Sequence, residues 1–287
     1  MTDNPYQKLV AKFAALLSEG RSYPLGGFPP APRPVIAPDA PRALFFAPHP
    51  DDESISGGIA LRLLREGAMR VFNVAVTLGS KSERQAERLK ELQAACRYIG
   101  FDVITTGPRG LEGISAKARV EGSGRWSKSV DIIHKIMAEH QPKVLMFPHG
   151  RDWNSTHIGT HLLVMDALAK MPKDFEAVLI ETEFWGQNDA PNLMVEISEA
   201  DLVDLVTATS FHVGEVQRNP YHLSLPAWMM DNVRRGSELV GGQGGKAPDF
   251  DFAVLYQARK WIGGAVKPFS TGGRIVSAKE SILSALQ

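Results

Sequence analysis

Phe45–Ser54 reads FFAPHPDDES and sets a histidine close to two adjacent aspartates, His49, Asp51 and Asp52. An imidazole and a carboxylate can hold a divalent cation while a second carboxylate stays free to accept a proton. Phe147–His161, FPHGRDWNSTHIGTH, carries three more imidazoles at His149, His157 and His161. Two imidazoles and one carboxylate leave a coordination position open, which is the mark of a catalytic zinc site. Each segment has a plainer reading as well. Acidic residues complement a helix N-terminus, and His157 and His161 can simply share a helix face. Taken together, the two segments favour one shared metal site.

Both segments follow short apolar runs. Ala43–Ala47 (ALFFA) and Val144–Phe147 (VLMF) predict strands buried on both faces of a parallel sheet. Ligands of open α/β sheets bind beyond the carboxyl ends of such strands, so residues just past them are aimed at a site. Further strands are predicted at Val71–Thr77, Phe101–Thr105 and Ala177–Glu181, with helices at Ile55–Arg65, Glu83–Ile99, Ile132–Ala138 and His157–Ala169. The repeated βα units predict an α/β fold, with a Rossmann-like, mostly parallel sheet flanked by helices.

After Glu183 the alternation weakens. Strands at Leu193–Ile197 and Phe252–Tyr256, a helix at Ala200–Thr209 and a Gly-rich loop over Gly236–Asp249 are expected there. Upstream, the spacing of Leu9, Val10, Phe13, Leu16 and Leu17 predicts an amphipathic helix over Pro5–Glu19, packed by one face. Pro24–Pro41 is too Pro-dense for regular structure and reads as an extended connector. The expected organisation is an N-terminal helix and connector over residues 1–41 and a catalytic domain over 42–287.

Composition narrows the partners. The chain has 287 residues, 32 Lys+Arg against 32 Asp+Glu, 8 His and one Cys. A net charge of zero supplies no basic footprint for nucleic acid or an anionic membrane, which leaves a small-molecule substrate. A lone Cys excludes an internal disulfide and a thiolate zinc cluster, and Cys96 falls on the apolar face of a predicted helix. No run approaches the roughly 20 apolar residues of a membrane span, and the N-terminus lacks an uninterrupted apolar core, so a cytoplasmic location is expected. There is no G-x-S-x-G elbow and no Walker A sequence. The His-Pro-Asp-Asp turn would also set negative charge where a dinucleotide's pyrophosphate should sit.

These residues resemble the LmbE-like, or PIG-L, family of zinc-dependent N-deacetylases. The family's A-H-P-D-D-E stands as Ala47-Pro48-His49-Pro50-Asp51-Asp52-Glu53, with one inserted proline. Its R-x-x-E-L stands as Arg88-Leu89-Lys90-Glu91-Leu92, and its H-P-D-H falls on Asn154-Ser155-Thr156-His157. The resemblance implies His49, Asp52 and His157 as zinc ligands, and Asp51 as general base toward a zinc-activated water. It sets Arg88 and Asn154 on the substrate side. The implied reaction removes an N-acetyl group from an amino-sugar of the N-acetylglucosamine type. Fe2+ or another divalent metal could replace Zn2+, because His and carboxylate ligands discriminate weakly.

The chain departs from the family at Asn154, where the motif has a histidine. An amide can donate to an oxyanion but cannot deliver a proton near neutral pH. The acid then falls to His149, His212 or Asp51 itself, and His161 rivals His157 as third ligand. Loss of that histidine also keeps open a hydratase of an unsaturated carboxylic acid on the same fold, or a non-catalytic metal- or sugar-binding protein. Trp153 and Trp185 read either as sugar-stacking or as core residues. Specificity is expected from the loops Arg109–Trp126 and Gly236–Asp249.

Overall fold

The structure, a computed structural model, describes residues 4–122 and 124–287. Unbroken apolar runs make strands that bury both faces, and five strands form the parallel half of the sheet. They are β1 (Arg42–Ala47), β2 (Arg70–Ala75), β3 (Asp102–Thr105), β4 (Val144–Pro148) and β5 (Ala177–Thr182). Four more complete it: β6 (Leu193–Glu196), β7 (Ala253–Ile262), β8 (Ala265–Pro268) and β9 (Arg274–Val276). The order is β3-β2-β1-β4-β5-β7-β6-β9, with β8 on β7, and β7 runs antiparallel to β5 and β6. The sheet is therefore the expected α/β arrangement, mostly parallel with an antiparallel extension.

Alternate residues of one strand feed two cores. On one face Phe45 of β1 and Met146 of β4 pack with Ile59 and Leu63 of the helix Gly58–Arg65, and with Leu92 and Cys96 of the helix Gln85–Ile99. On the other face Phe46 and Phe147 meet Ile133 and Met137 of Gly124–His140, and Leu163 and Val164 of Ser155–Leu168. Burying each such side chain contributes about 1.5–3 kcal/mol, so the strand ends are rigidly held. The chain leaves β1 toward β2 on one side and reaches β4 on the other. Their carboxyl ends thus flank the switch point where the following loops diverge.

Several expectations need correction. The N-terminal helix forms over Pro5–Gly20, capped by Asn4, whose side-chain oxygen accepts from Tyr6 N. Its apolar face is not packed, however. Val10 is 68% and Leu16 64% exposed, and only Gly20 is buried. The helix is specified locally by its cap and Pro5, and it touches the body at its last residue, where a Cβ on Gly20 would meet Leu223.

The helix expected over Ile55–Arg65 is two, Asp52–Ile55 and Gly58–Arg65. The break falls at Gly57, where a Cβ would lie 2.0 Å from Glu53 O. The Gly-rich run expected as a loop begins inside the helix Leu225–Leu239. Gly236 serves close approach there, since a Cβ would lie 2.6 Å from Met194 Sδ on the sheet. β7 extends past the expected Tyr256 and turns at Gly263-Gly264, both at positive φ, into β8. Gly-Gly is a two-residue hairpin signal that the sequence displays openly.

Candidate functional site

The turn after β1 is shaped by its own carboxylates. His49 N donates to Asp52 Oδ2 at 2.9 Å, and Asp51 N donates to Glu53 Oε2 at 2.9 Å. Asp51 takes φ 125°, a conformation an L-residue holds only when its surroundings impose it, at a cost of about 1–3 kcal/mol. Glu53 is itself fixed by His212 Nε2 at 2.7 Å, and both side chains are wholly buried. His212 therefore supports the turn and offers no proton to a substrate.

The turn after β4 is built by caps. Asn154 Oδ1 accepts from Thr156 N at 2.9 Å and His157 N at 3.4 Å, starting the helix Ser155–Leu168. Asp152 Oδ1 accepts from Asn154 N at 2.8 Å, and its Oδ2 lies 3.2 Å from His157 Nδ1. Asp152 thereby holds Nδ1–H, which fixes the tautomer and turns the lone pair on Nε2 inward. Two residues further along the helix, Gly159 lets it press on the next loop, since a Cβ would lie 2.5 Å from Ser115 N.

These turns converge. One donor atom each from His49, Asp52 and His157 lies within 4.8 Å of the others. Asp52 Oδ2 is 3.6 Å from His49 Nδ1 and 3.5 Å from His157 Nε2. His157 Nε2 is buried with no hydrogen-bond partner among the described residues. A buried lone pair without a donor is costly, and a cation between two imidazoles and a carboxylate resolves it. The donor set therefore fits a divalent metal.

The electrostatics divide the two aspartates. Burial alone would push Asp52 up, yet His157 and His49 bring its carboxyl down to about 2. Burial and the neighbouring Asp52 push Asp51 up to about 6, against Arg88, His212 and a hydrogen bond from Tyr221. Burial opposes charge on His157, while Asp52 and Asp152 move its imidazole up. One carboxylate is thus permanently ionised and the other is poised near neutrality.

Beside the turns lies a cavity of about 720 Å³, lined in part by His49, Arg88, Arg109, Glu112, Ser115 and Asn154. Arg88 donates to Pro50 O at 2.9 Å and lies 3.9 Å from Asp51 Oδ2. It pairs with neither Glu87 nor Glu91 of its own helix; its other carboxylate is Glu215 at 3.8 Å. The 109–115 loop forms a cavity wall, whereas the Gly236–Asp249 run contributes nothing to the lining. Trp153 is exposed, and Trp185 joins Phe184 and Tyr221 in an edge-packed aromatic cluster.

The remaining imidazoles stay apart from this group. His149 Nε2 lies 3.0 Å from Gly186 O, and its Nδ1 accepts from Arg151 N. His161 Nδ1 lies 3.1 Å from Pro148 O.

Two functional neighbours escape sequence reasoning. Asp152 shows a local signal, an Asp two before the Asn cap. Tyr221 shows none: it lies 170 positions from Asp51, yet its hydroxyl donates to Asp51 Oδ2 at 2.5 Å.

Residues 44–168 match the family described as PIG-L: GlcNAc-PI de-N-acetylase. Over this segment, less than half of its length, the chain is similar to the PIG-L family. All of His49, Asp51, Asp52, Arg88, Asn154 and His157 fall inside it, and Tyr221 falls outside. A 1D-myo-inositol 2-acetamido-2-deoxy-alpha-D-glucopyranoside deacetylase of Mycobacterium leprae is 29% identical over 158 residues, 46% of this chain and 51% of that relative. The chain thus spans about half the length of that curated relative.

Among solved structures, N,N'-diacetylchitobiose deacetylase from Pyrococcus horikoshii is similar at TM-score 0.53 and 18% identity, over 91% of this chain and 96% of that one. The 4-carboxy-2-hydroxymuconate hydratase from Pseudomonas putida is similar at TM-score 0.55 and 15% identity, over 76% and 95%. A deacetylase and a hydratase share this fold, so the reaction must be argued from the site.

Proposed function

We propose that the chain is a metal-dependent hydrolase that removes an N-acetyl group from an amino-sugar-type substrate. His49, Asp52 and His157 hold the metal, zinc or another divalent cation that takes imidazole and carboxylate ligands, and Asp51 is the general base. The observation that carries this reading is the unpartnered His157 Nε2 facing Asp52, with a second carboxylate beside it that is held by Tyr221 and Arg88. The deacetylase named among the relatives supports the acyl-amide substrate.

When bound, the metal polarises the amide carbonyl and acidifies water. Tyr221 and Arg88 both face Asp51 Oδ2, which leaves Oδ1 to take a proton from the attacking water as its oxygen joins the carbonyl carbon. Burial and Asp51 hold the Tyr221 hydroxyl far above its ordinary range, so it stays a donor throughout. Asn154 has committed its carbonyl oxygen to the helix, so its amide N–H groups are what it can offer a developing oxyanion. Asp51, near neutrality, returns its proton to the amine as the C–N bond breaks, which supplies the acid that Asn154 cannot be.

The test is acetate release from N-acetylglucosamine-type sugars, read together with metal content. Asp51→Asn should retain metal and lose about 10²–10⁴-fold in kcat. Full activity in that variant, or turnover confined to unsaturated carboxylic acids, would overturn the reading.

A further inference from the structure

The cavity beside the two turns shares part of its wall with a second, smaller one. Gly79, Ser80 and Arg88 line both, and the smaller, of about 220 Å³, adds Lys81, Arg84, Glu215 and Arg218. Three guanidinium groups converge on the single Glu215 carboxylate. Arg84 Nη1 lies 2.8 Å and Arg88 Nε 3.8 Å from Oε1, and Arg218 Nη2 pairs with Oε2. Lys81 is exposed with no ion-pair partner among the described residues, and Arg88 Nε is buried without a hydrogen bond.

The cleft lining therefore sets four cations against one carboxylate, and of the four only Arg88 has a further carboxylate, Asp51 at 3.9 Å, among the ion pairs of the described residues. A clamp tying the helix Gln85–Ile99 to the segment Val213–Val216 would be complete with Arg84 and Arg88. It accounts neither for Lys81 nor for Arg218, which is 72% exposed. Glu215 instead holds the guanidinium forks in place, and the surplus donors suit the oxygens of a phosphate or carboxylate.

We propose that this cationic cleft binds an anionic substituent, phosphate or carboxylate, carried by the substrate of the adjoining cavity. The sugar part of this proposal rests on the deacetylase reading; the anion part does not.

Titration calorimetry at low salt with N-acetylglucosamine 1-phosphate, N-acetylmuramic acid and neutral N-acetylglucosamine tests it. At least one anionic probe should bind about tenfold or more tighter than the neutral sugar, and the advantage should shrink as salt rises. The tighter of the two tells phosphate from carboxylate. The double variant Lys81→Gln/Arg218→Gln should lose most of that preference.

Equal affinity of the parent protein for all three probes overturns the proposal, as does a double variant that keeps the full preference. Acetate release is followed in the same samples. Anionic preference without acetate release overturns the deacetylase reading and leaves the cleft standing. Release from neutral and anionic sugars alike, with equal binding, does the reverse.

Discussion

Two clusters at the carboxyl ends of the central strands each bring together two imidazoles and a carboxylate, and they end up chemically opposite. In the first, His49 and His157 face Asp52, and one buried ring nitrogen has no hydrogen-bond partner. In the second, His149 and His161 line a cavity of about 210 Å³ with Glu181 and Arg259. There the backbone has claimed the rings: both nitrogens of His149 are bonded, and His161 Nδ1 serves Pro148 O. Glu181 turns to Arg259 at 3.5 Å. The second cluster thus offers no ligand set, because His149 has no free ring nitrogen and the Glu181 carboxylate already faces a cation. In the first cluster Asp152 takes Nδ1 of His157 and leaves its Nε2 inward.

The contrast breaks most sharply at the two histidines one helical turn apart. His157→Ala should abolish stoichiometric metal binding, read by elemental analysis, and reduce acetate release by about 10³-fold or more. His161→Gln should leave metal content unchanged and activity within about threefold, because that ring lies outside the group of donor atoms around Asp52. The reverse pattern would move the third ligand to His161 and refute the assignment.

How far the sequence foretold this depends on range. β1 and β4 were legible because ALFFA and VLMF are unbroken apolar runs, and the motifs after them because strand ends aim residues at a site. The exposed face of Pro5–Gly20 was not legible, since periodicity reports amphipathicity and says nothing of whether a partner surface lies within the same chain. Gly236 misled because close approach and loop flexibility use the same residue. The second ring nitrogen of each histidine, and Tyr221 against Asp51, depend on contacts that no local pattern encodes.

Tyr221 sharpens the contrast at intermediate size. The first cluster is completed by a residue from the C-terminal part of the chain, outside the segment that matches the family. Tyr221→Phe removes a hydrogen bond to a charged carboxylate and frees Asp51 Oδ2. It should lower kcat about tenfold with KM and metal content unchanged. A change in KM alone would mean that Tyr221 touches substrate and does not position the base.

Glu181→Gln should have the smallest effect on activity, and it tests why the second cluster is no metal site. Burial, only partly opposed by Arg259 and Arg151, pushes the Glu181 carboxyl up from 4.5 to about 7. Because the folded value exceeds the unfolded one, the folded protein keeps a proton that the unfolded chain has released between those two pH values. Stability from this group is therefore full below about pH 4.5, falls as pH rises, and levels off above about pH 7. Glutamine cannot titrate, so the variant should gain on the parent by at most about 3 kcal/mol between pH 4.5 and pH 8. Denaturant midpoints of both proteins at each pH measure the difference. A gap that stays constant would mean Glu181 is ionised throughout, held by Arg259, and the second cluster would then be an ion pair. A gap that grows with pH would show a carboxyl kept neutral by its surroundings, which makes a poor metal ligand and separates the two clusters by protonation as well as by geometry.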